Sequence, residues 1–148
     1  MNIIENLKKI VLEFPVYVNE LLVTNSSALY GIGIIKDPSD IGDIDIALNG
    51  KSWRLISEKY PLISTSLTGQ KIDLRNMYCK SSFSRPIEFY NSIGHGFKFR
   101  QCFKDSIKID GFHFMNPIDV MEWNYRMGRE KDLRRNKIIK EYLKGKED

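Results

Sequence analysis

Cysteine is nearly absent from this chain: Cys79 and Cys102 are the only two, they stand far apart, and neither belongs to a CxxC pair. That excludes a disulfide framework and a thiolate zinc cage, and it fits a reducing, cytoplasmic compartment. Histidine is as scarce, with only His95 and His113, so a histidine-built metal site is also excluded. Long apolar runs are missing. The longest, such as Leu21-Leu22-Val23, is far too short to span a membrane. The first residues, MNIIENLKK, have neither a long apolar core nor a small-residue cleavage site, so they do not read as a secretory signal. Proline and glycine, at 5 and 10, are ordinary, and no internal repeat or low-complexity tract appears.

What is present is the composition of a soluble globular domain. The 148 residues are 42% hydrophobic and 28% charged, enough for one domain with a real core. The 23 Lys plus Arg exceed the 19 Asp plus Glu by four. A surplus that small is compatible with a polyanionic partner without requiring one.

Periodicity supplies the element order. Residues 4–13 space apolar side chains at helical intervals before Pro15, and residues 20–24 read as a short buried strand. Asn25-Ser26-Ser27 offers cap-type side chains before a short helix or turn, and residues 36–42 form a loop. Asp43 to Leu48 alternates strictly, as a half-buried strand does. Residues 52–60 suit an amphipathic helix, residues 64–68 and 71–79 suit strands, and residues 86–93 suit a short helix before a Gly94-His95-Gly96 turn. Asp110-Gly111 between alternating segments predicts a hairpin. Asn116-Pro117 opens a helix to about 127, Gly128 interrupts it, and a last helix runs from about 129 to 144. The expectation is an α+β fold with a mixed sheet: one domain over 1–148, its core at about 20–115 and two C-terminal helices at about 117–144.

The chemistry concentrates in carboxylates. Asp43 and Asp45 are two apart in a strand of period two, so they leave the same face, while Ile44, Ile46 and Leu48 point into a core. Two like charges side by side repel unless a cation neutralises them, and Mg²⁺ prefers oxygen ligands while leaving positions for phosphates. Asp73 stands between Ile72 and Leu74 in the next alternating strand. If that strand lies beside the first, three carboxylates converge, enough to hold one or two divalent ions for phosphoryl or nucleotidyl transfer. The Thr24-Asn25-Ser26-Ser27 junction between strand and helix can present N–H groups and a hydroxyl to a phosphate. Taken alone, a D-x-D pair also occurs on ordinary surface strands.

The segment VTNSSALYGIGIIKDPSDIGDIDIAL resembles the opening motif of the nucleotidyltransferase superfamily, the DNA polymerase beta-like fold, particularly small bacterial and viral abortive-infection or toxin-type members. The tail NPIDVMEWNYRMGREKDLRRNKIIKEYL resembles the helices that follow the sheet in such proteins. By this resemblance Asp43, Asp45 and Asp73 are the catalytic and metal-binding carboxylates, with Mg²⁺ or Mn²⁺ as cofactor. Asn25, Ser26 and Ser27 fall at the phosphate-holding turn, and Arg129 and Lys131 in the basic group before the last helix. The implied reaction moves a nucleoside monophosphate from an NTP, ATP included, to an acceptor and releases pyrophosphate. RNA, a protein hydroxyl and a small molecule are the open choices of acceptor, and the size leaves room for a partner subunit or a second copy. The alternatives are a catalytically silent binding module of the same fold and a metal-dependent nuclease. Two departures stand out. Asn25 replaces the usual Gly, although Asn enters the left-handed region more readily than most residues. Trp123-Asn124 stands where relatives often carry a Lys, which shifts triphosphate contacts towards Arg126, Arg129 or Lys131.

From Arg126 to Asp148 there are nine basic and five acidic residues. They read equally as a grip on phosphates or as a solvated helix face. His95, His113, Tyr30, Tyr78, Phe89 and Tyr90 read as loop, rim or core residues before they read as base-stacking ones.

Overall fold

A seven-stranded mixed sheet runs through the molecule in the order β3-β4-β5-β2-β1-β7-β6, seen in a computed structural model. The structure describes residues 1–147 except 61, 68–69, 79–82, 84, 92 and 94–95; side chains are described outside 61–82, 84, 92, 94–95 and 147. Among the described residues no helix is long and apolar enough to cross a membrane.

The chain opens with helix α1 (Ile3–Glu13), capped by Asn2, whose side chain accepts from the Glu5 N–H at 3.1 Å. Its apolar stripe buries Ile3, Leu7 and Ile10. Strand β1 (Leu21–Val23) follows, buried throughout, and then α2 (Asn25–Ile32). Gly31 lets α2 lie down on the sheet: a Cβ there would come within 2.2 Å of the buried Phe114 ring. Strand β2 (Ile44–Leu48) pairs antiparallel with β1, and α3 (Gly50–Lys59) follows it. Strands β3 (Leu62–Leu67) and β4 (Gln70–Tyr78) pair antiparallel.

Residues 86–93, expected as a helix, contain strand β5 (Ile87–Tyr90) instead. The reason lies in its alternation. Ile87 and Phe89 are fully buried, while Glu88 and Tyr90 leave the other face. β5 slots between β2, parallel, and β4, antiparallel. This insertion also decides the premise on Asp73: β4 borders β5 and not β2, and the Asp73 side chain lies outside the described residues.

A short helix that periodicity did not suggest, α4 (Phe99–Lys104), precedes the expected hairpin of β6 (Ile107–Ile109) and β7 (Phe112–Phe114). Asp110 and Gly111 turn it with φ of 50° and 85°, the paired positive values of the tight turn that suits twisted strands. β7 runs parallel to β1 at the far side of β2. Helix α5 (Pro117–Met127) starts as the sequence indicates, with the Asn116 side chain accepting from the Asp119 N–H at 2.9 Å. Gly128, at φ 70°, ends it by donating its N–H to the Asn124 carbonyl. The last helix, α6 (Glu130–Glu147), packs on α5. The fold is therefore mixed α+β with two C-terminal helices.

Candidate functional site

One cavity of about 260 Å³ gathers the chemistry-bearing residues. Its floor is the start of β2 and the neighbouring β5, one side is the N-terminus of α2, and α5 and α6 close it.

The parallel register of β2 and β5 sets Asp45 opposite Glu88. Asp43, Asp45 and Glu88 each bring a carboxylate oxygen into a group whose members all lie within 4.8 Å of one another. Among the described residues the third carboxylate of the group is Glu88, missed because its segment read as a helix; the Asp73 side chain lies outside the described residues. The signal was available: Ile-Glu-Phe-Tyr is a period-two run of β-branched and aromatic residues with one acid on the polar face.

The electrostatics show groups held against their preference. Burial first, then the charge of Glu88 and a hydrogen bond to it, push the Asp43 carboxyl up to about 6; Lys131 pulls the other way. Asp45 is pushed up further by burial, by Glu88 and by Asp43. Tyr90, two positions beyond Glu88 on the same face, donates to Glu88 and lies 3.4 Å from Asp45 Oδ1. Burial and the adjacent carboxylates push its phenol well up, so it stays a protonated donor.

The α2 junction divides its three expected residues. Asn25 adopts φ 56°, so the left-handed turn forms without glycine. It lines the cavity, and its Oδ1 is buried with no hydrogen-bond partner among the described residues. Ser26 lines the cavity as well, beside first-turn N–H groups that have no acceptor inside their own helix. Ser27 does something else. Its hydroxyl donates to the Asp43 carbonyl at 2.9 Å and accepts from the Asp45 N–H at 3.0 Å. Fully buried and outside the cavity lining, it fixes the backbone that carries both aspartates, so the expected phosphate contact is corrected to a brace.

The basic residues divide too. Arg129 lines the cavity but is committed to fully buried Asp132, with Nε–Oδ2 at 2.6 Å and Nη2–Oδ1 at 3.0 Å, and it lies over the Trp123 ring. Lys131 lines the cavity in the field of Asp43. Arg135, one turn further along α6, also lines it and donates to the Asp40 carbonyl at 3.3 Å, tying α6 to the loop before β2. Arg85 secures the same loop by donating to the Ile41 and Pro38 carbonyls, each at 3.0 Å. Arg134 turns outward to Glu130 in an exposed pair. Arg126 also faces outward, beside Glu122 and over the Phe97 ring.

The other aromatic and histidine candidates mostly sit elsewhere. Phe89 is core, Tyr30 donates to the Met1 carbonyl, and His113 stacks on Phe103 with Nδ1 2.8 Å from Ser106 Oγ. His95 and the Tyr78 side chain lie outside the described residues.

Three clustered acids can bind a hard divalent cation, and the adjoining helix terminus and cations can bind an anion. Comparison with protein-family models, with curated proteins and with solved structures finds no match to the chain.

Proposed function

We propose that the chain is a metal-dependent nucleotidyltransferase, moving a nucleoside monophosphate from an NTP to an acceptor hydroxyl with release of pyrophosphate. The observation that carries this reading is the convergence of Asp43, Asp45 and Glu88 in one cavity with the α2 N-terminus, Lys131 and Arg135. Carboxylates alone would repel a polyphosphate; cations and N–H groups alone would not need three acids. Together they suit a phosphorylated ligand that arrives with its own divalent counterions.

The donor set fits Mg²⁺ or Mn²⁺. It is all oxygen and it is clustered, with the Lys131 charge acting on Asp43. Such a cation, held by Asp43, Asp45 and Glu88, would polarise phosphoryl oxygens and offset developing charge. The chain's own groups do the rest. Ser27 holds the two aspartates in register. Tyr90 keeps a donor on Glu88, so that carboxylate is oriented. Ser26 and the first-turn N–H groups of α2 face the terminal phosphates, and Lys131 and Arg135 add positive charge. Catalysis would be positional and electrostatic, with no covalent protein intermediate.

Incubation with each α-labelled NTP, Mg²⁺ and cell extract tests the reading. Label should move to RNA, protein or a small molecule, and D43A and E88Q should abolish the transfer. Nucleic acid cut without any NTP requirement would make the chain a nuclease. Ligand binding that survives D43A, with no turnover, would make it a silent module.

A further inference from the structure

The cavity lining also holds a different chemistry. Trp123 and Ile93 supply apolar lining there, and they are fastened together: the indole Nε1 donates to the Ile93 carbonyl at 2.8 Å. Beside them Asn124 lines the cavity while only 2% exposed. A buried amide ordinarily leaves open which end accepts and which donates. Here the neighbours decide it. Asn136 donates its Nδ2 to the Met121 carbonyl at 3.0 Å, so its Oδ1 is the acceptor end. That Oδ1 receives Asn124 Nδ2 at 3.0 Å. The backbone carbonyl therefore sets the sense of Asn136, and Asn136 sets the sense of Asn124. What remains to Asn124 is Oδ1, which accepts no hydrogen bond among the described residues.

An acceptor oxygen in a nearly buried position is a poor neighbour for a phosphate oxygen and a good one for an N–H donor. A flat group with apolar faces and a donor on its edge matches the indole, the isoleucine and the amide together. We propose that Asn124 is a specificity residue that accepts a hydrogen bond from the exocyclic amino group of the nucleobase, so that the site prefers amino-bearing bases to their oxo counterparts. This rests on the nucleotidyltransferase reading above and adds the orientation of the nucleotide: phosphates at the carboxylates, base at α5. An oxo group in that place would set carbonyl against carbonyl. Asn136 is a positioning residue, acting only through Asn124.

Calorimetric titration of the full chain with Mg²⁺ tests this, using the pairs ATP and ITP, and CTP and UTP, with 2′-deoxy-ATP and inorganic tripolyphosphate as further probes. The wild type should bind the amino member of at least one pair about tenfold more tightly, the worth of one neutral hydrogen bond. N124L should bring that ratio close to one and leave tripolyphosphate binding as it was. Equal binding within both pairs overturns the proposal. So does a preference that follows the 2′-hydroxyl, or an N124L that weakens tripolyphosphate and nucleotides alike. The wild-type ratios need no variant, so a misfolded N124L does not shield the proposal. If tripolyphosphate binds but no amino preference exists, Asn124 loses its role and the transferase reading stands. If neither tripolyphosphate nor any NTP binds, both fall.

Discussion

Two carboxylate sites flank β2, one at each end, and the chain treats them in opposite ways. At the exit, Glu20 accepts from the Ser52 N–H at 2.8 Å, the Ser52 hydroxyl at 2.7 Å and the Lys51 N–H at 3.1 Å. Burial alone would push its carboxyl up, but these bonds and the Lys51 charge outweigh burial and hold it below the usual carboxylate value. Gly50 makes the approach possible, since a Cβ there would sit 2.3 Å from a Glu20 oxygen. At the entry, Asp43 and Asp45 face Glu88, and the described side chain that donates to the group is Tyr90. There the carboxyls are pushed up. Glu20 is satisfied by the protein and works as a helix cap. The entry cluster has no comparable set of donors among the described side chains.

That contrast can be broken most severely at Asp45. D45N should lower any nucleotidyl transfer by on the order of 10²–10³-fold in a single-turnover assay. The same change should raise the melting temperature of the metal-free protein, because it removes an acid that sits beside two others and that burial and their charge disfavour in its ionised form. A drop in melting temperature would mean that the cluster is internally satisfied after all. Next in size is E20A, which strips the α3 N-terminus of its acceptor. It should cost about 1–2 kcal/mol by urea unfolding, with Mn²⁺ affinity unchanged.

The pH dependence should separate the two ends by sign. In the folded metal-free protein the Asp43 carboxyl holds its proton up to about 6, whereas unfolded it gives the proton up near its ordinary 3.8. Between those values the folded state binds the extra proton, so this group's contribution to stability declines as pH rises through that window. Glu20 runs the other way, its folded pKa lying below its ordinary 4.5. Its contribution is present above that value and is lost as pH falls through the folded one. Melting curves of wild type and D43N from pH 4 to 7.5 check the first sign, and added Mn²⁺ should raise the melting temperature more at pH 7.5 than at pH 5. The smallest effect belongs to the exposed Arg134–Glu130 pair. R134A should change stability by no more than about 0.5 kcal/mol and leave nucleotide binding untouched, while K131A, on the same helix, weakens it.

Much of this was legible in the residues. Alternation in DIDIAL placed both aspartates on one face, Asp110-Gly111 fixed a hairpin, and Asn116-Pro117 and Gly128 bounded α5. These are local signals, each decided within a few positions. The third carboxylate was not local. Period two tells which face Asp73 and Glu88 take, but not which strand lies beside β2, and that adjacency depends on the whole sheet. The four-residue length of β5 added to the difficulty, because so short a run does not separate strand from helix. Ser27 was misread for a related reason. A serine at a strand–helix junction suits a phosphate or a neighbouring backbone equally, and only the arrival of Asp43 and Asp45 on its other side chooses between them.

The insertion of β5 between β2 and β4 carries a consequence for the life of the chain. Tyr90 and Asp45 are 45 positions apart, and the residues between them include α3 and the β3–β4 pair. During synthesis the D-x-D strand emerges well before its partner, and the loop joining them has to close before either gains from the other. A fragment ending ahead of Ile87 would display the motif without Glu88 and Tyr90, which complete the cluster. On this reading metal affinity reports that the sheet has closed, and an ion that binds only the closed sheet holds it closed in return.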